Sequence, residues 1–359
     1  MIGFQKTYRL PFKFNIPNYI QNFLTDFSIF KCRIKYVKRL LFLIIKGQKF
    51  LEITKVMPEH RRILWINISA PSIGDSLMDL SSRVLLEDKT IDLFTNKKNA
   101  SLYKNDKVFN CIFTNQDHVG TRKYDLVIID SYSTRSINIK SQIASKTNYV
   151  GMFGYFNGPE VNRVLYSFHR MNQLLGYFKS ENEINDLAKC SISISKSDEE
   201  LVRSLKLPTK YIAIAIGGEW KYRTYRNWTQ VIQGLFQVDD DLTIVLLGSK
   251  NAEDSISKLL NLNLSHNIIN CVNQYTFNQT SQIIKGAKLL LCCDGGLMHS
   301  ANAVGTPIIS IFARLSPKMQ LTQSIKAITF YDQKDVNNIL AKDIISKYKD
   351  FPKYGSINP

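Results

Sequence analysis

Arg62-Ile-Leu-Trp-Ile-Asn-Ile-Ser69 runs directly into Ala70-Pro-Ser-Ile-Gly74, and residues 75–86 follow with apolar side chains at helical spacing. The first stretch is short, apolar and β-branched, bounded by turn formers, and so predicts a buried strand. Strand, loop and helix in about 25 residues open a βαβ unit. Working outward, the same signature predicts strands at 91–95, 108–114, 125–130 and 148–153, separated by polar or helical stretches. Alternation of this kind implies a parallel sheet with helices on both faces.

The pattern weakens over 157–206, where helices are expected at 168–178 and 198–205 around a Ser-rich stretch at 190–197. Beyond Pro208 it restarts, with strands expected at 211–216, 242–247, 268–272, 289–293 and 307–312 and helices at 227–236, 252–260, 280–287 and 297–304. The expected architecture is α/β: two doubly wound, Rossmann-like domains, 62–206 and 207–330. A basic extension, 1–61, precedes them. A tail, 331–359, follows, its helix at 335–348 expected to pack back onto the first domain.

Charge separates the extension from the rest. The 359 residues carry a formal charge of +17, and residues 1–62 hold 13 Lys or Arg against Asp26, Glu52 and Glu59, which is +10 of that total. Ordinary globular composition, 44 % hydrophobic and 21 % charged, excludes a disordered acidic tail or a small stapled module. The stretch 27–46 interleaves large apolar residues with Lys31, Arg33, Lys35, Lys38 and Arg39. Its longest apolar run, 40–45, falls far short of the roughly 20 residues a spanning helix needs. No secretory layout is present. A basic amphipathic helix on anionic headgroups is one reading; a helical hairpin packed on the next domain, with its charges solvated, is the other. No RRM, KH or helix-turn-helix pattern accompanies the charge, so nucleic acid is not an expected partner. Cys32, Cys111, Cys190, Cys271, Cys292 and Cys293 form no CxxC pair, which fits a reduced, cytoplasmic setting.

In open parallel sheets ligands lie beyond the carboxyl ends of the strands, and facing domains would enclose a cleft there. Three loops stand at such ends. In Leu291-Cys-Cys-Asp-Gly-Gly-Leu-Met-His299, Asp294 closes a strand, Gly295 and Gly296 are expected to permit a tight turn, and the helix from Leu297 offers free amides and its dipole to phosphate oxygens. In Gly217-Gly218-Glu-Trp-Lys221-Tyr-Arg223, two glycines precede cations suited to a diphosphate. In Ser72-Ile-Gly74-Asp75, a carboxylate opens a helix, either as a cap or as a reactive group. Each has a plainer reading: a structural turn, a solvated basic turn and a capping residue, with His299 an ordinary buried helix residue.

The loop at Gly74-Asp75, together with Asp294-Gly-Gly296-Leu-Met-His299 through Gly305-Thr-Pro307, resembles the lipopolysaccharide heptosyltransferases of glycosyltransferase family 9 over about residues 62–330. The resemblance implies a GT-B fold and inverting, metal-independent transfer from ADP-L-glycero-D-manno-heptose to the Kdo-lipid A inner core. It also implies work as a peripheral protein on the inner face of the bacterial inner membrane. By that resemblance Asp75 is the general base, with Ser72 and Gly74 in the acceptor-side loop. Asp294, Gly296, Leu297 and His299 match the donor motif and Met298 fills its variable position. Gly295 departs from it, since the family has Ser or Thr there. Gly217 and Gly218 lie in the donor region, where the family's cation falls on Arg223 or Lys221, and its ribose-holding acid on Glu253 or Asp254.

No cofactor or metal is expected. Asp239-Asp240-Asp241 mimics the Asp-x-Asp of metal-dependent transferases but precedes its strand, at the end away from the expected cleft. Two alternatives remain: a GT-B transferase with another sugar nucleotide or acceptor, and a non-catalytic glycan-binding relative in which Gly295 marks decay of the site.

Overall fold

The computed structural model describes residues 13, 14, 16–20, 29–154, 161–260 and 267–354. The chain divides into two compact units, Met1–Ser193 and Ile194–Pro359.

In the first unit a 3₁₀ turn, Asn18–Ile20, precedes helix α1 (Ile29–Ile45). Strands β1 (Arg62–Asn67), β2 (Thr90–Thr95), β3 (Phe109–Phe113), β4 (Leu126–Ile129) and β5 (Tyr149–Gly151) follow. All pair in parallel, in the order β3-β2-β1-β4-β5. Helices α2 (Ile73–Asp79), α3 (Lys97–Tyr103), α4 (Thr134–Ile143), α5 (Arg163–Leu174) and α6 (Glu181–Leu187) complete the unit. Their starts are set locally: Ser72, Asn96, Ser133, Asn162 and Ser180 each accept a first-turn backbone N–H on the side chain.

The helix expected at 75–86 breaks after Asp79, and a 3₁₀ turn, Ser81–Leu86, replaces its second half. Ser81 Oγ donates to Met78 O at 2.7 Å, an alternative to continuing the helix. Arg83, 1 % exposed, is drawn to Asp106, with Nε–Oδ2 2.9 Å.

The second unit holds α7 (Lys196–Ser204), β6 (Ile212–Ala215), α8 (Trp228–Val238), β7 (Ile244–Leu247), α9 (Glu253–Leu260), β8 (Ile268–Asn270), α10 (Phe277–Gly286), β9 (Leu290–Cys293), α11 (Gly296–Val304), β10 (Ile308–Ala313), β11 (Ala327–Asp332) and α12 (Ala341–Tyr354). Its six parallel strands run β11-β10-β9-β6-β7-β8. Read from its first strand, that is the doubly wound order 3-2-1-4-5-6. Both sheet faces are covered, so strand residues alternate between two cores. Ile212, Ile214, Ile244 and Leu246 join one; Ala213, Ala215, Val245 and Leu247 join the other.

Two expectations need correction. The edge strand β11 was not anticipated: its residues alternate exposed and half-buried, and among the described residues it pairs only with β10. The tail helix begins at Ala341 rather than 335 and packs within the second unit. Ile345 fills the notch that Gly234 leaves on α8, and Tyr348 Oη lies 3.4 Å from Asp239 Oδ2.

The segment after α1 is built into the first sheet. Ile53 N donates to Tyr149 O at 2.9 Å, Glu52 bridges Tyr149 in parallel, and Tyr132 Oη donates to Glu52 at 2.5 Å. Lys140, fully buried and lowered by burial to a pKa of about 8, donates to Gln48 Oε1. Lys6 and Arg9, residues 21–28, and the side chains of Lys31 and Arg33 lie outside the described residues. Among the described residues no helix is long and apolar enough to cross a membrane.

Candidate active site

In the second sheet β6 and β9 are neighbours although β7 and β8 lie between them in sequence. The loops leaving their carboxyl ends flank the topological switch point, where ligands of such sheets bind. Gly217 has φ +92°, which other residues rarely adopt, and a Cβ there would lie 2.9 Å from Ala252 Cβ. A Cβ on Gly218 would lie 2.6 Å from Thr224 Oγ1 and 2.8 Å from Arg223 O. The two glycines let the turn Lys221–Arg223 fold back over the strand end. That turn delivers Arg223 Nη1 to Asp294 Oδ2 at 2.8 Å. The Asp294 side chain is 2 % exposed and that of Arg223 24 %. Burial opposes the charge of Arg223, but the Asp294 carboxylate more than offsets it and the guanidinium pKa is raised. Lys221 stays exposed on the same turn.

At the neighbouring strand end Arg314, with φ +65°, lies over the ring of Tyr222, 3.8 Å from its centroid. This second guanidinium was not anticipated, although its place directly after β10 was the available signal.

Gly295 and Gly296 do not make the expected tight turn. Gly295 is extended, with φ 171°, and a Cβ there would meet only Cys293 O at 4.0 Å; on Gly296 it would make ordinary contact with Phe277 at 3.5 Å. The loop is therefore open rather than sterically committed. The amides of Met298 and His299 are bound to Gly295 O, while those of Gly296 and Leu297, in the first turn of α11, have no intrahelical acceptor. Met298 is fully buried in the core and Leu297 packs against it. His299 is 2 % exposed, its Nε2 3.1 Å from Gln320 Oε1. Glu253 opens α9 and accepts from Asn273 Nδ2 at 2.6 Å; the side chain of Asp254 lies outside the described residues. Burial raises the pKa of the Cys292 and Cys293 thiols, which makes them core residues rather than nucleophiles. Asp239 ends α8 before β7, so the acidic triplet sits at the amino ends of the strands. Among the described residues no group of three His, Cys, Asp or Glu could hold a metal ion.

The first sheet has its own switch point, between β1 and β4. Here Asp130, at the end of β4, accepts the amides of Ile68, Ser69 and Ser131 and the hydroxyl of Ser136, at 2.6–2.8 Å. Those bonds fix the β1 loop that leads to Ser72. Ser72 caps α2 and donates from Oγ to Asp75 Oδ2 at 2.6 Å. Gly74 is buried beside them.

The capping reading of Asp75 is incomplete, because Arg163 Nη1 also binds its Oδ1 at 2.8 Å. The same guanidinium holds Asp79 one helical turn on, with Nε–Oδ1 2.9 Å and Nη2–Oδ1 2.5 Å. Asp79 is 1 % exposed, and burial raises its pKa to about 7 despite Arg163. Sequence reasoning missed both residues. The i, i+4 spacing of Asp75 and Asp79 was a usable signal; nothing local marked Arg163.

A family model described as glycosyltransferase family 9 (heptosyltransferase) matches residues 158–338. Among solved structures, the family 9 glycosyl transferase of Veillonella parvula DSM 2008 is similar at TM-score 0.67 and 12 % identity, over 83 % of this chain and 99 % of that one. E. coli ADP-heptose lps heptosyltransferase II is similar at TM-score 0.64 and 16 % identity, over 82 % and 99 %. E. coli heptosyltransferase WaaC with ADP-2-deoxy-2-fluoro heptose is similar at TM-score 0.56 and 14 % identity, over 81 % and 99 %. No curated protein matches the chain. At these identities the structures establish the fold, two Rossmann-like domains of the GT-B class. The family model spans half of the sequence and includes the Arg223–Asp294 loop pair. The chain is therefore a glycosyltransferase and belongs to glycosyltransferase family 9.

Proposed function

We propose that this enzyme transfers heptose from ADP-L-glycero-D-manno-heptose to the Kdo-lipid A inner core of lipopolysaccharide, with inversion and without a metal. The observation that carries the reading is the place of its two motif loops. Each stands at the switch point of its own sheet, Asp75 with Arg163 in the first and Asp294 with Arg223 in the second. In the proposed step Asp75 takes the proton of an acceptor hydroxyl as that oxygen bonds to the anomeric carbon. The bond from that carbon to the diphosphate oxygen breaks, and ADP leaves with the electron pair. Lys221, Arg223 and the first amides of α11 receive the charge. Glu253 is assigned to the ribose, and Gly217, Gly218 and the 294–299 stretch to the donor. In that stretch Met298 and His299 act from within the core, by holding the helix.

The acceptor is a phosphorylated lipid, and α1 fits work at an anionic surface on the inner face of the inner membrane. Leu43 is buried on the first unit, with Tyr36 and Phe42 packed beside it. On the opposite side Ile34, Val37, Leu41, Ile44 and Ile45 are 48–79 % exposed, with Lys35, Lys38 and Lys46 also at the surface.

Mass spectrometry of Kdo-lipid A after incubation with a panel of nucleotide sugars, with and without chelator, tests the proposal. A gain of one heptose from the ADP donor alone, unaffected by chelation, is expected. A gain from another donor would replace the substrate, loss on chelation would overturn the metal-free step, and donor binding without transfer would favour a glycan-binding role.

A further inference from the structure

One guanidinium in the first unit serves two carboxylates of unequal exposure. Arg163 reaches Asp75, whose side chain is 22 % exposed, with one nitrogen, and Asp79, 1 % exposed, with two others. Phe153 lies against the guanidinium, its ring centroid 5.5 Å away. Asp79 Oδ2 is buried and has no hydrogen-bond partner among the described residues. A buried carboxylate with one oxygen unsatisfied is costly, and an apolar residue of similar size would commonly be more stable there. Its cost is reduced when it carries a proton. The charged groups acting on Asp79 are Arg163, Asp75 and Asp130, and Asp130 is held by its own four donors.

We propose that Arg163 and Asp79 are positioning residues for Asp75: Arg163 aims the Asp75 carboxylate, and Asp79, by binding or releasing a proton, sets how much of the guanidinium charge falls on it. The proposal rests on Asp75 being the base. With Asp79 neutral, more of the guanidinium charge falls on Asp75, which is then the weaker base. With Asp79 ionised, the guanidinium is shared between two anions and Asp75 becomes the stronger base. Since burial raises the pKa of Asp79 to about 7, kcat should rise across pH 6 to 8, by about tenfold.

The test is the pH profile of heptose transfer from ADP-L-glycero-D-manno-heptose to Kdo-lipid A by the full chain, with ADP affinity as the check on folding. Asp79→Asn should keep ADP affinity within twofold and flatten the profile between pH 6 and 8, fixed at the lower rate. Arg163→Lys, which cannot span both carboxylates, should lower kcat about tenfold with KM within twofold. Infrared difference spectra should show a protonated carboxylic acid lost on titration through pH 7 in the wild type and absent from Asp79→Asn, a readout independent of transfer. A wild-type pH rise retained in Asp79→Asn, wild-type kcat in Arg163→Lys, or a carboxyl band unaffected by Asp79→Asn would each overturn the proposal. Asp75→Asn separates the two readings. If it stays active, the base assignment fails; if it is inactive while Asp79→Asn keeps the wild-type profile, only the present inference fails.

Discussion

The Arg223–Asp294 pair is asymmetric, and the asymmetry predicts which half is more costly to remove. Arg223→Met leaves a carboxylate whose side chain is 2 % exposed without its 2.8 Å partner. Removing one partner of a buried pair costs about 3–5 kcal/mol. An upper bound follows from chemistry: the stranded carboxyl can instead take up a proton, which costs about 4 kcal/mol at pH 7 and about 1.5 kcal/mol at pH 5 for an ordinary carboxyl pKa of about 3.9. In the variant the folded state then binds more protons than the unfolded one, so its stability rises as pH falls through this window. Asp294→Asn leaves Arg223 facing an amide oxygen while 24 % of its side chain reaches water, a loss of about 1 kcal/mol. With about 2–4 °C per kcal/mol for a domain of this size, Arg223→Met should lower the unfolding midpoint of the second unit by about 6–16 °C at pH 7, and Asp294→Asn by about 2–4 °C. Thermal unfolding followed by circular dichroism at pH 7 and pH 5 reads both. Equal losses in the two variants, or an Arg223→Met deficit that does not shrink at pH 5, would refute the argument from unequal burial.

Asp75→Asn should reduce transfer by about 10²–10⁴-fold and leave the Kd for ADP within twofold, as single-turnover kinetics and calorimetry would show; undiminished transfer removes Asp75 from the base role. Gly295→Ser enters open space at the N-cap of α11, so it should raise the unfolding midpoint by about 1 °C, whereas a drop of several degrees would mean the loop is closed. Leu41→Asp with Ile45→Asp should weaken sedimentation with anionic phosphatidylglycerol vesicles by roughly 30-fold or more, because each apolar side chain withdrawn contributes about 1 kcal/mol and the new charges oppose the surface. Binding equal to wild type would return α1 to a solvated extension.

The strands were legible because a parallel sheet covered on both faces needs nearly continuous apolar runs, and β1, β4, β6, β7 and β9 supply them. Helix starts were less legible: the helices expected from 168 and 280 begin earlier, at Arg163 and Phe277 behind the caps Asn162 and Thr276, and α6 behind Ser180 was not anticipated. What escaped depended on distant partners. Arg163 lies 84 residues from Asp79, and no local pattern announces a guanidinium shared across that span. Leu80 ends α2 because Ser81 and Arg83 find acceptors elsewhere, not because the helical period fails. The tail docks on α8 because Gly234 leaves room for Ile345, a fit between two surfaces that neither stretch reveals alone. The glycines of the candidate site divide the same way. Gly217 and Gly218 are demanded by neighbours, whereas Gly295 and Gly296 are not, and a sequence shows both pairs simply as Gly-Gly.

The backbone bridge between Glu52 and Tyr149 has a consequence for solubility. β5 is three residues long and stands at the end of its sheet, where unpaired amides and carbonyls invite another chain. The stretch that precedes β1 occupies that border, with Ile53 bonded to Tyr149 and Val56 N bonded to Leu174 O at 2.8 Å. Trimming the protein to its first Rossmann strand would therefore uncover an adhesive edge, and aggregation of such a truncated protein would report the loss of a guard rather than the loss of a membrane anchor.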